Sequence, residues 1–336
     1  MTVQSDPMTS GNPTASPSAN TRVPWFRRVW AHGDRLYQIL LLLASAAVVV
    51  LVCAVAYELW ANSALSRLAF GWRFLVTTAW DPALTKTFGA LPFILGTLIT
   101  SAIALIVAVP LGVGTAIFLA EVSPDWLSRP LGFLAELLAA VPSVVYGLWG
   151  LFVFIPAFVR PLAKMLERGL GFLPLFDGPV YGPSRLAAGL VLAIMVFPTI
   201  TAVSRDVFRA IPGGQREAAM AMGATRWEMI WKVLIPYGTS GFLGAIILGL
   251  GRALGETIAV TMVIGNNLDL TASLLHPGYT MASIIANEFT EATFDLYVHA
   301  LIEIGLILFG MTLLINLVAR LLIWRVSLRS RTEVRA

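Results

Sequence analysis

Apolar residues along this chain gather into six long runs, roughly 38–58, 89–120, 130–158, 186–204, 237–265 and 298–324, separated by more polar stretches. About twenty residues of α-helix cross the hydrocarbon of a bilayer, so each run predicts a membrane-spanning helix. Several runs are longer than that minimum, which implies tilt or extension beyond the membrane. Pro110, Pro142, Pro156 and Pro198 fall within or near the runs and predict kinks where neighbours satisfy the freed carbonyls. The pattern predicts an all-α integral membrane protein with six transmembrane helices. A disordered tail is expected over 1–36, because residues 1 to about 24 are rich in Ser, Thr, Pro, Gly and Asn without apolar periodicity. A first transmembrane helix over 37–60, a membrane core over 89–325 and a basic tail over 326–336 follow. No small-residue cleavage pattern follows the first run, so it reads as a retained helix and not a signal peptide.

One polar stretch is unlike the others. Arg205 to Pro236 carries Arg205, Arg209, Arg216, Arg226 and Lys232 with Asp206, Glu217 and Glu228, too many charges to lie in hydrocarbon. Its internal pattern is helical. Pro212-Gly213-Gly214 breaks the preceding helix, and Gln215–Met222 is dense in helix formers. Gly223 suits the left-handed position just past a helix end. Thr225 with Glu228 three residues on predicts a capping box that opens a second helix, running to Pro236. A helical knob held in water by a membrane domain suits a groove on a partner protein. The plainer alternative is a re-entry loop whose charges only set topology.

Composition confirms the class. The 336 residues are 57% hydrophobic and 12% charged, with a mean hydropathy of +0.80, far from soluble norms. Trp60, Trp72 and Trp80 stand near run ends, as interfacial belts require. One cysteine, Cys53, excludes an intrachain disulfide, and three scattered histidines give no metal site. The net charge of +4 implies no nucleic-acid partner, because the basic residues follow the membrane flanks. With the N-terminus inside, fifteen Lys and Arg fall on the cytoplasmic side and seven on the other, so both termini and the 205–236 loop are expected in the cytoplasm. Residues 266–297 carry acids without Lys or Arg, and 281–289 reads as a partly buried helix on the outer face. It contacts a delivery protein, lines a vestibule, or is a solvated loop.

Arg252 is the sharpest single residue, the only Lys or Arg between Lys232 and Arg320 and well inside the fifth run. A guanidinium in hydrocarbon costs a few kcal/mol, so it marks function or a neutralised pair. Glu256 follows four residues later, on the same face if the helix continues. The bland reading is a local pair that cancels two charges. The functional one is a fork of donors offered to a tetrahedral oxyanion, with Glu256 steadying it and easing release. Gly249, Gly251 and Gly255 do not match a dinucleotide loop, since no strand precedes them. Gly251 and Gly255 read instead as a close helix-packing face. Pro142, Tyr146, Gly147 and Gly150 predict a kink and close packing in the third run, while Glu136 and Glu303 read as structural.

Glu217-Ala218-Ala219, then Gly223, then Val233-Leu234-Ile235-Pro236 resembles the EAA signature of ABC-importer permeases, with Val233 and Ile235 as apolar replacements. VPSVVYGLWG, FPTITAVSRDVF, REAAMAMGATRWE and GRALGETIAVTMVIGN together resemble the phosphate-specific (Pst) ABC importers, in their PstC-type permease, across about 89–325. The resemblance implies a type I importer permease fold in the bacterial cytoplasmic (inner) membrane. The loop would be a coupling helix that docks on an ATPase through Arg216, Glu217, Ala218, Ala219 and Gly223. It implies phosphate passage at Arg252 and Glu256. It also implies a second, PstA-type permease, a PstB-type ATPase dimer holding ATP and Mg, and a PstS-type extracytoplasmic phosphate-binding protein.

The chain itself is no ATPase, because none of its three lysines (Lys86, Lys164, Lys232) follows the glycine a Walker A loop needs. Other classes left open are a permease for a related oxyanion, such as phosphonate or molybdate, and a self-sufficient secondary transporter. An integral-membrane enzyme lacks a nucleophile–base constellation in the spans.

Overall fold

The apolar runs become helices because a buried backbone in lipid must satisfy its own hydrogen bonds. The structure is a computed structural model that describes residues 25–333. Its helices are α1 (Trp25–Asn62), α2 (Ala64–Phe70), α3 (Arg73–Val76), α4 (Leu91–Ile117), α5 (Asp125–Ala140), α6 (Ser143–Trp149) and α7 (Arg160–Leu170). Then follow α8 (Arg185–Ala210), α9 (Gly213–Ala221), α10 (Arg226–Met229), α11 (Ile235–Gly255), α12 (Ile258–Val263), α13 (Met281–Glu288) and α14 (Asp295–Glu333). Wider π-helical turns at Phe118–Val122, Gly150–Val159 and Ile230–Leu234 join neighbouring helices. Among the described residues there is no strand, only isolated bridges at Asp81–Thr87 and Gly265–Gly278.

Six stretches are long and apolar enough to cross a membrane: Tyr37–Asn62, Leu91–Val122, Ser143–Leu170, Arg185–Ala210, Arg226–Gly255 and Asp295–Arg325. Two expectations change at the ends. The tail predicted over 1–36 lies outside the described residues up to 24, but from Trp25 the chain is already helical. The basic tail predicted over 326–336 continues α14 to Glu333, with no Pro or Gly in that stretch to stop it.

The chain divides into two units, Met1–Val55 and Ala56–Ala336. The described part of the first is the length of α1 up to Val55, apolar and exposed from Tyr37 on. In the second, α8 is the most buried helix and runs alongside α4. Glycines let the two approach: a Cβ on Gly189 would stand 2.6 Å from Ile103 and one on Gly112 2.9 Å from Ile200. These pairings make α4 and α8 parallel, while α11 returns antiparallel, with Gly241 against Val207 and Gly249 against Val196.

Two of the predicted spans are broken. The run 130–158 is not one kinked helix: α5 ends at Ala140, Val141 and Pro142 are extended, and α6 starts at Ser143. Proline drives the preceding residue out of the helical region, so Pro142 heads a new helix and does not bend an old one. The run 237–265 is likewise cut where Glu256 turns extended, between α11 and α12. α6 packs on α12, where a Cβ on Gly147 would stand 3.1 Å from Ala259 Cα, so the predicted close packing at Gly147 and Gly150 holds. Gly251 and Gly255 make no such packing within this chain: a Cβ on either meets nothing within 4 Å, and the tightly packed glycine of α11 is Gly249.

At the end of the bundle remote from the 212–225 turn, aromatic residues of the 70–93 segment and of α14 form a core with α13. Trp80 Nε1 donates to Glu288 at 3.3 Å, and the Tyr297 hydroxyl donates to the same carboxylate oxygen. The helix expected over 281–289 is therefore present and half-sunk in this cluster.

Candidate functional site

Arg252 lies in the last turn of α11, opposite the middle of α8. Its Nη1 and Nη2 donate to the Ala139 carbonyl at 3.5 Å, and Nη1 donates to Thr199 Oγ1 at 3.3 Å. Ala139 closes the last turn of α5, where unpaired carbonyls carry the negative end of the helix dipole. The neighbouring Leu138 carbonyl accepts the Tyr146 hydroxyl at 2.8 Å. So the two helix breaks, at Val141-Pro142 and at Glu256-Thr257, lie near one half-buried guanidinium. Broken helices of this kind are where transporters place ion and substrate sites.

Glu256 is not the partner the four-residue spacing predicts. The helix stops at Gly255, so Glu256 leaves the Arg252 face, and among the described residues no ion pair joins them. Its carboxylate instead accepts the Ala259 N–H at 3.2 Å and caps α12. Arg252 therefore has long contacts to a carbonyl and a hydroxyl, no carboxylate, and unused donors out of its five.

Two other buried arginines, by contrast, have close partners of their own. Arg205, 7% exposed, pairs with Glu136 at 2.6 Å across the α5–α8 seam. Gly132 makes room for it, since a Cβ there would stand 1.8 Å from Arg205 Nη1. Arg185, 2% exposed, donates to the Asp269, Thr271 and Ser273 carbonyls and to Thr271 Oγ1, pinning the 269–273 loop without any carboxylate. Neither role was visible in sequence, because the acceptors are backbone groups or lie 69 to 88 residues away.

The loop between α8 and α11 folds as its residues predict. Gly223 has φ +84°, its N–H reaches Met220 O at 3.0 Å, and Ala224 N–H reaches Ala219 O at 3.1 Å. That is the Schellman ending of α9. Thr225 and Glu228 complete the capping box, with Thr225 Oγ1 accepting Glu228 N–H at 3.2 Å and Glu228 Oε2 accepting Thr225 N–H at 3.1 Å. Glu217, Ala218 and Gly223 are exposed, together with Met222 (90%) and Trp227 (64%), while Ala219 is buried. Arg216 points the other way. It grips Glu121 through Nε at 3.1 Å and Nη2 at 2.6 Å, and donates to the Phe208 and Ile211 carbonyls at 2.7 Å each. It anchors α9 to the membrane helices and does not extend from the knob.

Residues 108–329 match the family of binding-protein-dependent transport system inner membrane components. The chain belongs to that family. It is 49% identical over 284 residues to the phosphate transport system permease protein PstC of Pasteurella multocida, covering 83% of this chain and 88% of that one. With the PstC of Mesorhizobium japonicum it shares 46% over 307 residues, 90% of this chain and 94% of the relative. These place it among the PstC permeases. A solved bacterial ABC transporter that imports the acidic polysaccharide alginate has the same fold, with a TM-score of 0.52 at 19% identity over 89% of this chain and 99% of that one. The permease is thus a multi-pass inner-membrane transport subunit and not an enzyme, with the all-α importer fold expected from its sequence.

Proposed function

We propose that this permease forms, with a second PstA-type permease, the path by which inorganic phosphate crosses the inner membrane, powered by a PstB-type ATPase dimer and fed by a PstS-type binding protein. The observation that carries this is Arg252: a half-buried guanidinium without a carboxylate, near two helix breaks. A tetrahedral oxyanion accepts two donors of such a fork at once. The Ala139 carbonyl lies on the same fork and opposes a bound anion, so the site is weak enough to release it. Glu256 holds the α11–α12 break open by capping α12, and this fixes where the fork points.

Both termini and the α9–α10 knob face the cytoplasm in this reading. Glu217, Ala218, Gly223, Met222 and Trp227 present the surface that the ATPase grips, while Arg216 passes its motion to the membrane helices through Glu121. ATP binds the two ATPase arrangements unequally, and that difference drives the path between outward-open and inward-open. ATP and Mg belong to the ATPase. The test is uptake of labelled phosphate by the reconstituted complex against unlabelled phosphate, phosphonate and molybdate. Unlabelled phosphate alone should compete strongly; equal competition by molybdate would overturn the phosphate assignment.

A further inference from the structure

The end of the bundle remote from the α9–α10 knob carries three cations that nothing in the transport reading uses. Arg160, Lys164 and Arg168 stand at i, i+4 and i+8 of α7, one stripe along a single helix face, and all three are exposed. None makes a hydrogen bond or an ion pair among the described residues, although Glu167 is on the same helix. The opposite face is anchored, with Ala163 and Leu166 packed with Leu186 and Leu275. Between the cations and that anchor, Met165 is 72% exposed, and Phe158 and Phe172 are exposed just before and after the helix. α7 also continues without a break from the apolar Gly150–Val159 segment, which fixes it at the end of a membrane span. Gly182, at φ +104°, leaves room for Arg160: a Cβ there would stand 2.7 Å from its Nε.

A helix with one face on protein, one apolar strip and one basic strip, at the end of a span, has the layout of an interfacial helix. We infer that α7 is a binding surface for anionic phospholipid headgroups on the side of the membrane remote from the knob, the three cations holding phosphodiesters while Met165, Phe158 and Phe172 meet the acyl chains. Free phosphate would also suit the cations, but it gives no account of the apolar strip beside them, so the occupant is lipid. An unpaired basic row on that side also runs against the usual bias of Lys and Arg toward the cytoplasm, and a bound anion offsets its charge.

The test uses the assembled transporter complex in nanodiscs of phosphatidylcholine with one-fifth phosphatidylglycerol, part of it bearing a photoactivatable headgroup. Crosslinks mapped to 160–172 are quantified for wild type, for the triple variant Arg160→Gln, Lys164→Gln, Arg168→Gln, and for the charge-keeping variant Arg160→Lys, Arg168→Lys. Each cation near an anionic surface is worth roughly fivefold in binding. The triple variant should therefore lose crosslinking by at least about tenfold, while the charge-keeping variant retains most of it and unlabelled phosphate does not compete. Equal crosslinking by wild type and triple variant overturns the inference. So does competition by inorganic phosphate, or an unchanged lipid signal with weakened capture of the binding protein, which would assign the stripe to a protein partner.

Discussion

Arg216→Ala removes the grip that fixes α9 to the membrane helices. The substitution deletes three contacts to Glu121, at 3.3, 3.1 and 2.6 Å, and two to backbone carbonyls at 2.7 Å each. Glu121 is left behind with its side chain only 6% exposed and without its cation. Removing one member of a buried pair costs about 3–5 kcal/mol, and the Arg216 end is 25% exposed, so about 3 kcal/mol is expected here. The loss falls on local opening of α9 more than on the whole bundle, since the spans keep their own packing. Amide hydrogen exchange of residues 215–222 in the assembled complex should speed up roughly a hundredfold. Adding Glu121→Gln should recover part of that loss, because the stranded charge goes with it. Exchange within about threefold of wild type in the single variant would refute the claim that this pair holds the knob.

Other outcomes follow from contacts elsewhere. Gly132→Ala places a methyl 1.8 Å from Arg205 Nη1, displaces the guanidinium from Glu136, and should cost about 2–3 kcal/mol in thermal unfolding of the detergent-solubilised complex. Gly249→Ala drives a methyl to 2.8 Å from Val196 and should destabilise by about 1–3 kcal/mol. Gly251→Ala meets nothing within 4 Å of this chain and should be neutral or slightly stabilising; loss of PstA-type partner in pull-downs of that variant would mean that the partner packs there. Asp81 is held below its ordinary value of 3.8 chiefly by the backbone N–H of Leu84, then that of Thr85. A depressed carboxyl stabilises above its unfolded value and loses that contribution as pH falls through the folded one. Protection of the Leu84 and Thr85 amides, corrected for the intrinsic pH dependence of exchange, should therefore be steady down to about pH 4 and fall only below it.

Local chemistry made part of this molecule legible in its sequence. The Schellman ending at Gly223 and the capping box at Thr225 depend on residues within five positions of each other, and both form as the pattern requires. The six spans follow from hydropathy alone. What hydropathy does not carry is continuity of the backbone: Leu137–Tyr146 stays almost wholly apolar across the first break, and the second lies inside the apolar run 237–265, marked only by Gly255, Glu256 and Thr257. Pro142 was a visible cue to the first break, but it marks a helix start where a kink was expected. The second falls at Gly255-Glu256-Thr257, where the four-residue spacing assumes a continuous helix, and with the break went the pairing of Arg252 with Glu256. Arg216 is charged and lies in the signature segment, yet it turns inward, because Glu121, 95 residues earlier in the chain, awaits it. Arg185 was hidden for a similar reason, its partners being carbonyls of a distant loop.

The most direct test is phosphate flux through the complex carrying Arg252→Gln, measured in proteoliposomes together with ATP hydrolysis stimulated by the loaded binding protein. Phosphate uptake should fall to the background of empty vesicles while hydrolysis persists, because the fork is lost and the knob is untouched. Uptake at the wild-type rate would contradict the account, leaving Arg252 as a brace between α5 and α8.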